Sequence, residues 1–146
     1  MDTAVETTIT LSRTLNATIE KVFDAWVTSE ALTKWFAPSD TFKTDVLELD
    51  VRPKGRYRIV MTEPDGKVHT VFGVYETIDR PNKLVFSWEW EKAESPNRSI
   101  VTISLKRKGD QTELTLVHQG LATEESAKHH EQGWNGCVGR LVAMFN

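Results

Sequence analysis

"KLVFSWEWE", residues 83–91, places two tryptophans two positions apart. In a β-strand, residues two apart point to the same side, so Phe86, Trp88 and Trp90 share one face while Ser87 and Glu89 share the other. The run is rich in aromatic and β-branched residues and alternates with period two, which reads as a strand. What its apolar face meets decides the architecture. One reading is a plain hydrophobic core. The other is a hole, because each buried indole carries an N–H that needs a partner and a wall that is not fully packed relieves that demand.

The neighbouring sequence has the same grain. "FKTDVLELDV" from Phe42 leads into the turn "RPKG" with Gly55, and "RYRIVM" puts Tyr57, Ile59 and Met61 on one side. "EPDGK" carries Asp65-Gly66, a hairpin signal. "VHTVFGVYETI" follows, read with Thr70, Phe72, Val74 and Ile78 inward. That alternation would also bury Glu76, and a local bulge is expected to bring it out, since a buried carboxylate needs a partner. After the turn "DRPNK", the strand at 83–91 and the polar loop "KAESPNRS", "IVTISLKR" aligns Val101, Ile103 and Leu105. "TELTLVHQ" aligns Leu114, Leu116 and His118. At the start, "VETTITLSRTL" (Val5 to Leu15) reads as a first strand.

Between the first strand and the rest the period changes. Ile19, Val22, Phe23 and Trp26 fall at i, i+3, i+4 and i+7, one face of a helix, with Asn16 or Thr18 as its cap. Ser29 is expected to cap a second short helix carrying Leu32, Trp35 and Phe36, and Pro38 ends it. The tail is helical again. Thr123 caps it, Glu124 and Glu125 suit its positive end, and Ala127, His130, Trp134, Cys137 or Val138, Leu141 and Phe145 share a face. Gly133, Gly136 and Gly139 inside it mark either a close backbone approach or a kink.

The order is strand, two short helices, six strands, long helix: an α+β chain, expected to be one domain over 1–146. A curved antiparallel sheet needs a cover for its apolar face, and the final helix is the longest candidate. A sheet gripping one helix leaves room for a cavity, the usual form of a small-molecule site. The formal net charge of -3 argues against nucleic acid as a partner. No apolar run reaches the roughly 20 residues of a membrane span, and the first residues lack the pattern of a secretion signal. One cysteine, Cys137, precludes an internal disulfide, which fits a cytoplasmic setting.

"RTLNATIEKVFDAWVTSEALTKWF" (Arg13 to Phe36), "DVRPKGRYRI" (Asp50 to Ile59), "GVYETIDRPNKLVFSWEW" (Gly73 to Trp90), "TELTLVHQGL" (Thr112 to Leu121) and "HEQGW" (His130 to Trp134) together resemble a bacterial family. It is the one named after the activator of the 90-kDa heat-shock chaperone's ATPase. That family sits within the START-like, birch-pollen-allergen-like helix-grip superfamily (SRPBCC). The resemblance covers nearly the whole chain in order. It departs at Lys54-Gly55, where the family usually has Gly-Gly, and at Thr18, where proline is common. The resemblance implies a helix-grip fold with an apolar cavity, and a superfamily of lipid carriers, hormone and polyketide binders and polyketide cyclases. It implies no shared catalytic set. Small bacterial members look like the isolated domain, without the N-terminal domain by which the eukaryotic activator engages the chaperone.

The candidate ligand-binding residues are Trp35, Tyr57, Met61, Phe72, Phe86, Trp88, Leu116, His118, His130 and Trp134. Trp35 and Phe36 are placed at the cavity mouth, and Trp90 near the rim. His118 is the one candidate general base, because histidine titrates near neutral pH. The competing reading is a histidine tied to backbone. His118, His130 and Cys137 lack the tight paired spacings of a zinc site, so no metal is expected. No dinucleotide fingerprint, P-loop or Gly-x-Ser-x-Gly occurs, so no cofactor is expected. Cys137 reads as a buried, unreactive thiol. The readings are a binder of a small apolar or amphipathic molecule, a polyketide-cyclase-like enzyme using the same cavity, or a module acting on a chaperone ATPase. Homodimerisation is compatible with each.

Overall fold

The period-two runs pair into one antiparallel sheet. The computed structural model describes residues 7–93 and 97–146. Its strands are β1 (Thr7–Leu15), β2 (Lys43–Leu49), β3 (Arg56–Thr62), β4 (Val68–Asp79), β5 (Lys83–Trp90), β6 (Ser99–Lys108) and β7 (Gln111–Leu121). They form a seven-stranded sheet in the order β1-β7-β6-β5-β4-β3-β2. Every neighbouring pair is antiparallel. The strands from β2 to β7 thus make a meander, and β1 pairs with its last strand. Val5, read as part of the first strand, and residues 94–96 of the polar loop lie outside the described residues.

Three helices cover the sheet: α1 (Ile19–Val27), α2 (Ser29–Trp35) and α3 (Glu124–Met144). This is the α+β helix-grip arrangement expected from the sequence. On α1 the residues Ile19, Val22, Phe23 and Trp26 are all buried, and of the two candidate caps it is Thr18 whose side chain accepts from the Lys21 N–H. The α2 cap differs from expectation. Ser29 is the first helical residue and Thr28 the cap position, without a side-chain cap bond. The Thr28 hydroxyl instead donates back to the Asp24 carbonyl at 3.0 Å. Thr123 caps α3 as expected, accepting from Ser126 N–H at 3.0 Å.

The glycines of α3 have different reasons. A Cβ on Gly136 would lie 2.1 Å from the Pro38 carbonyl oxygen, whereas at Gly133 and Gly139 it would meet nothing within 4 Å. Only Gly136 is demanded by a close approach, and that approach seats α3 against the end of α2. Arg140 reinforces it by donating to the Lys34 carbonyl at 2.8 Å.

Strand β4 corrects one expectation. Val71, Gly73 and Tyr75 are its inward, buried residues, while Phe72 and its parity mates Thr70 and Val74 are half-buried on the other face. Gly73 explains the choice. A Cβ there would strike the Ser87 carbonyl oxygen at 2.1 Å and the Tyr57 ring at 2.8 Å. Tyr57 therefore lies across the missing side chain and reaches β5, which only the inward phase permits. A bulge between Tyr75 and Thr77 then resets the alternation. Glu76 is exposed and pairs with Arg98 at 3.1 Å.

Candidate functional site

The inner face of the sheet has two halves. In one, Trp26 and Leu32 pack on Tyr57, Tyr75, Leu84 and Phe86, leaving a void of only about 20 Å³. Trp35 stacks edge-on against Trp26 at 4.6 Å and donates its N–H to the Ala25 carbonyl at 2.9 Å. The Tyr57 hydroxyl donates to the Ser87 carbonyl. Burial raises the pKa of both Tyr57 and Tyr75, so both phenols stay neutral. Trp35, Tyr57, Phe86 and Leu116, four of the ten expected lining residues, belong to this packed core or its continuation across the sheet.

Further along the same strands lies an open cavity of about 830 Å³. Met61 of β3, Trp88 and Trp90 of β5, and His69 of β4 form its sheet wall. Phe36, Pro38 and Phe42, from the end of α2 and the segment after it, close one side. His130, Gly133, Trp134 and Cys137 of α3 face them, with Glu63 at the β3–β4 hairpin and Glu125 and His129 on α3 at the rim. The aromatic residues of the opening stretch therefore divide between the two jobs the sequence left open. Phe86 is core, Trp88 is cavity floor, and Trp90 is half-buried near the rim. Four expected residues line the cavity: Met61, Trp88, His130 and Trp134. Phe72 does not, since it faces the outer groove beside Arg58 and Glu91. Phe42, Glu63 and His69 were not anticipated.

His118 is fully buried and stands behind the cavity wall, not on it. Its Nδ1 accepts from the Trp134 indole N–H at 3.0 Å. Its Nε2 lies 2.7 Å from the Ser99 hydroxyl, which in turn reaches the Trp88 carbonyl at 3.3 Å. One proton assignment satisfies this chain: Nε2–H donates to Ser99, and Ser99 donates onward. Burial, with His130 nearby, lowers the His118 pKa to about 3. Both ring nitrogens are thus engaged in a neutral imidazole, and no lone pair is left for a general base. The expected tie to backbone is also corrected, since both partners of the ring are side chains, Ser99 and Trp134.

His130 repeats the device at the surface of the cavity. Its Nε2 accepts from the Trp90 N–H at 3.0 Å, and its Nδ1 lies 2.7 Å from the Ser126 carbonyl. Burial lowers its pKa as well. Two indoles are therefore satisfied by two neutral imidazoles whose rings sit 5.0 Å apart. Among the described residues, the indole N–H groups of Trp26 and Trp88 have no acceptor. Burial pushes the Cys137 thiol up to about 12, so it is un-ionised. Among the described residues, no helix is long and apolar enough to cross a membrane.

The fold recurs in solved bacterial proteins. A protein from Chromobacterium violaceum is 28% identical over 94% of this chain and 96% of its own, with a TM-score of 0.88. A protein from Rhizobium loti is 25% identical over 95% and 96%, with a TM-score of 0.79. The AHSA1 protein of Silicibacter pomeroyi is 24% identical over 94% and 96%, with a TM-score of 0.81. No match was found among curated proteins. The family description "Activator of Hsp90 ATPase homolog 1-like protein" matches residues 16–146, and the chain belongs to that family.

Proposed function

We propose that this protein binds a small apolar or amphipathic molecule between the sheet and α3. The observation that carries the reading is the 830 Å³ space, walled by aromatic rings and a thioether and fringed by a few polar groups, which is the usual make-up of a small-molecule site. Cyclase-type turnover through His118 has less support, because both of its ring nitrogens are already bonded.

The test is native mass spectrometry of gently purified protein, with solvent extraction of whatever is released, run beside Gly133→Trp. A Cβ at Gly133 meets open space within the cavity wall, so tryptophan there projects its ring into the cavity without forcing the backbone. Leu114 and Leu116 are unsuitable for this purpose, because both lie in packed core. The expected result is an adduct on the native chain that Gly133→Trp loses while remaining folded. An adduct that survives the filled cavity would place the ligand elsewhere. A bare native mass would shift the effort to a chaperone ATPase assay.

A further inference from the structure

His69 differs from the two histidines locked by tryptophans. Its Nε2 is hydrogen-bonded to the Glu63 carboxylate, and its ring lies 6.3 Å from Phe42, tilted by 33°. Both residues of the pair line the cavity and both are half-buried. A carboxylate on Nε2 holds the proton at that nitrogen and leaves Nδ1 as an acceptor. No described residue bonds that Nδ1, whereas both ring nitrogens of His130 are used. The rim charge adds a second constraint. Glu63 and Glu125 are among the lining residues, and no lysine or arginine is, so an anionic ligand finds no counter-charge and two like charges. Behind this mouth the wall is Phe36, Phe42, Met61, Trp88 and Trp134, surfaces suited to flat rings packed edge-to-face or offset.

We propose that Glu63 and His69 are the polar anchor of the cavity, and that it selects a neutral multi-ring aromatic molecule with a free hydroxyl, donated to His69 Nδ1. This rests on the cavity being a binding site and adds the class of its ligand. Fatty acids and other anionic amphiphiles fit the size and fail the charge. The rings lie on the tryptophan floor and the hydroxyl sits at the mouth.

The test titrates the full chain with four pyrenes, following quenching of tryptophan emission: 1-hydroxypyrene, 1-methoxypyrene, pyrene and 1-pyrenecarboxylate. The hydroxyl compound is expected to bind about three- to tenfold tighter than the methoxy compound or pyrene, the range of one net hydrogen bond. The carboxylate should bind weakest. In His69→Phe, which keeps a ring beside Phe42, the hydroxyl preference should vanish while pyrene binding stays. In Glu63→Leu, which removes the acceptor that holds the proton at Nε2, the preference should fall towards equality, and an undiminished preference there would overturn Glu63 as part of the anchor. Equal binding of hydroxy- and methoxypyrene, tightest binding of the carboxylate, or a preference that survives His69→Phe would each overturn the anchor while leaving the cavity reading intact. Failure of all four compounds to bind would overturn the cavity reading itself.

Discussion

The packed half and the open half of the interior are built from the same strands and the same kinds of residue. Along β3, Tyr57 and Ile59 lie in the first and Met61 in the second; along β5, Leu84 and Phe86 lie in the first and Trp88 and Trp90 in the second. Yet one leaves about 20 Å³ and the other about 830 Å³. Hydrophobicity does not separate them. The covering layer does. Trp26 of α1 and Leu32 of α2 drop side chains into the first half, whereas neither helix lines the second, which lies under His130, Gly133, Trp134 and Cys137 of α3 with Phe36, Pro38 and Phe42 along one side. A cavity here is the absence of a second cover, not a change in the strands beneath.

That contrast can be broken experimentally. Phe86→Ala should cost about 3–5 kcal/mol in chemical denaturation, the range for a large core ring. Phe42→Ala, at the half-buried cavity wall, should cost less than about 1.5 kcal/mol. Equal losses would mean that the open half is packed in solution. The glycines of α3 sharpen the same point. Gly136→Ala should destabilise by about 1–3 kcal/mol as the helix is forced off Pro38. Gly133→Ala should stabilise by about 1 kcal/mol through helix propensity.

Acid should act through the histidines. The folded pKa of His118 is depressed to about 3 from 6.5, and that of His130 is also lowered. The unfolded chain therefore takes up protons that the folded chain refuses. For His118, stability is full above about pH 6.5 and falls towards pH 3 by up to about 1.4 kcal/mol per pH unit, and His130 acts in the same direction. Denaturation midpoints measured across that window should show the slope. His118→Asn should remove up to one proton of it. An unchanged slope in that variant would mean that His118 titrates normally.

The succession of strands and helices along the chain and most inward faces were legible from period, because that signal is local, whereas the pairing of β1 with β7 was not. Nor was the phase of β4. "VHTVFGVYETI" carries apolar residues at both parities, and the decision lies with Gly73, whose missing side chain makes room for Tyr57 of the neighbouring strand β3. That single parity error misplaced Phe72 and also hid His69, which the correct phase puts inward with Val71 and Tyr75. Glu63, two residues past Met61, was absorbed into the hairpin reading of "EPDGK". The roles of His118 and His130 depend on which tryptophan N–H reaches which nitrogen, a matter of side-chain geometry that no spacing in the chain encodes.

The contact between Gly136 and Pro38 sets how far α3 stands from the strands, and it is made by backbone on both sides. Pro38 also belongs to the cavity wall, and its backbone is the post on which α3 rests. The side chains of the cavity wall can be exchanged in mutagenesis without that backbone contact being lost. The frame of the cavity and the chemistry of its wall are separately adjustable.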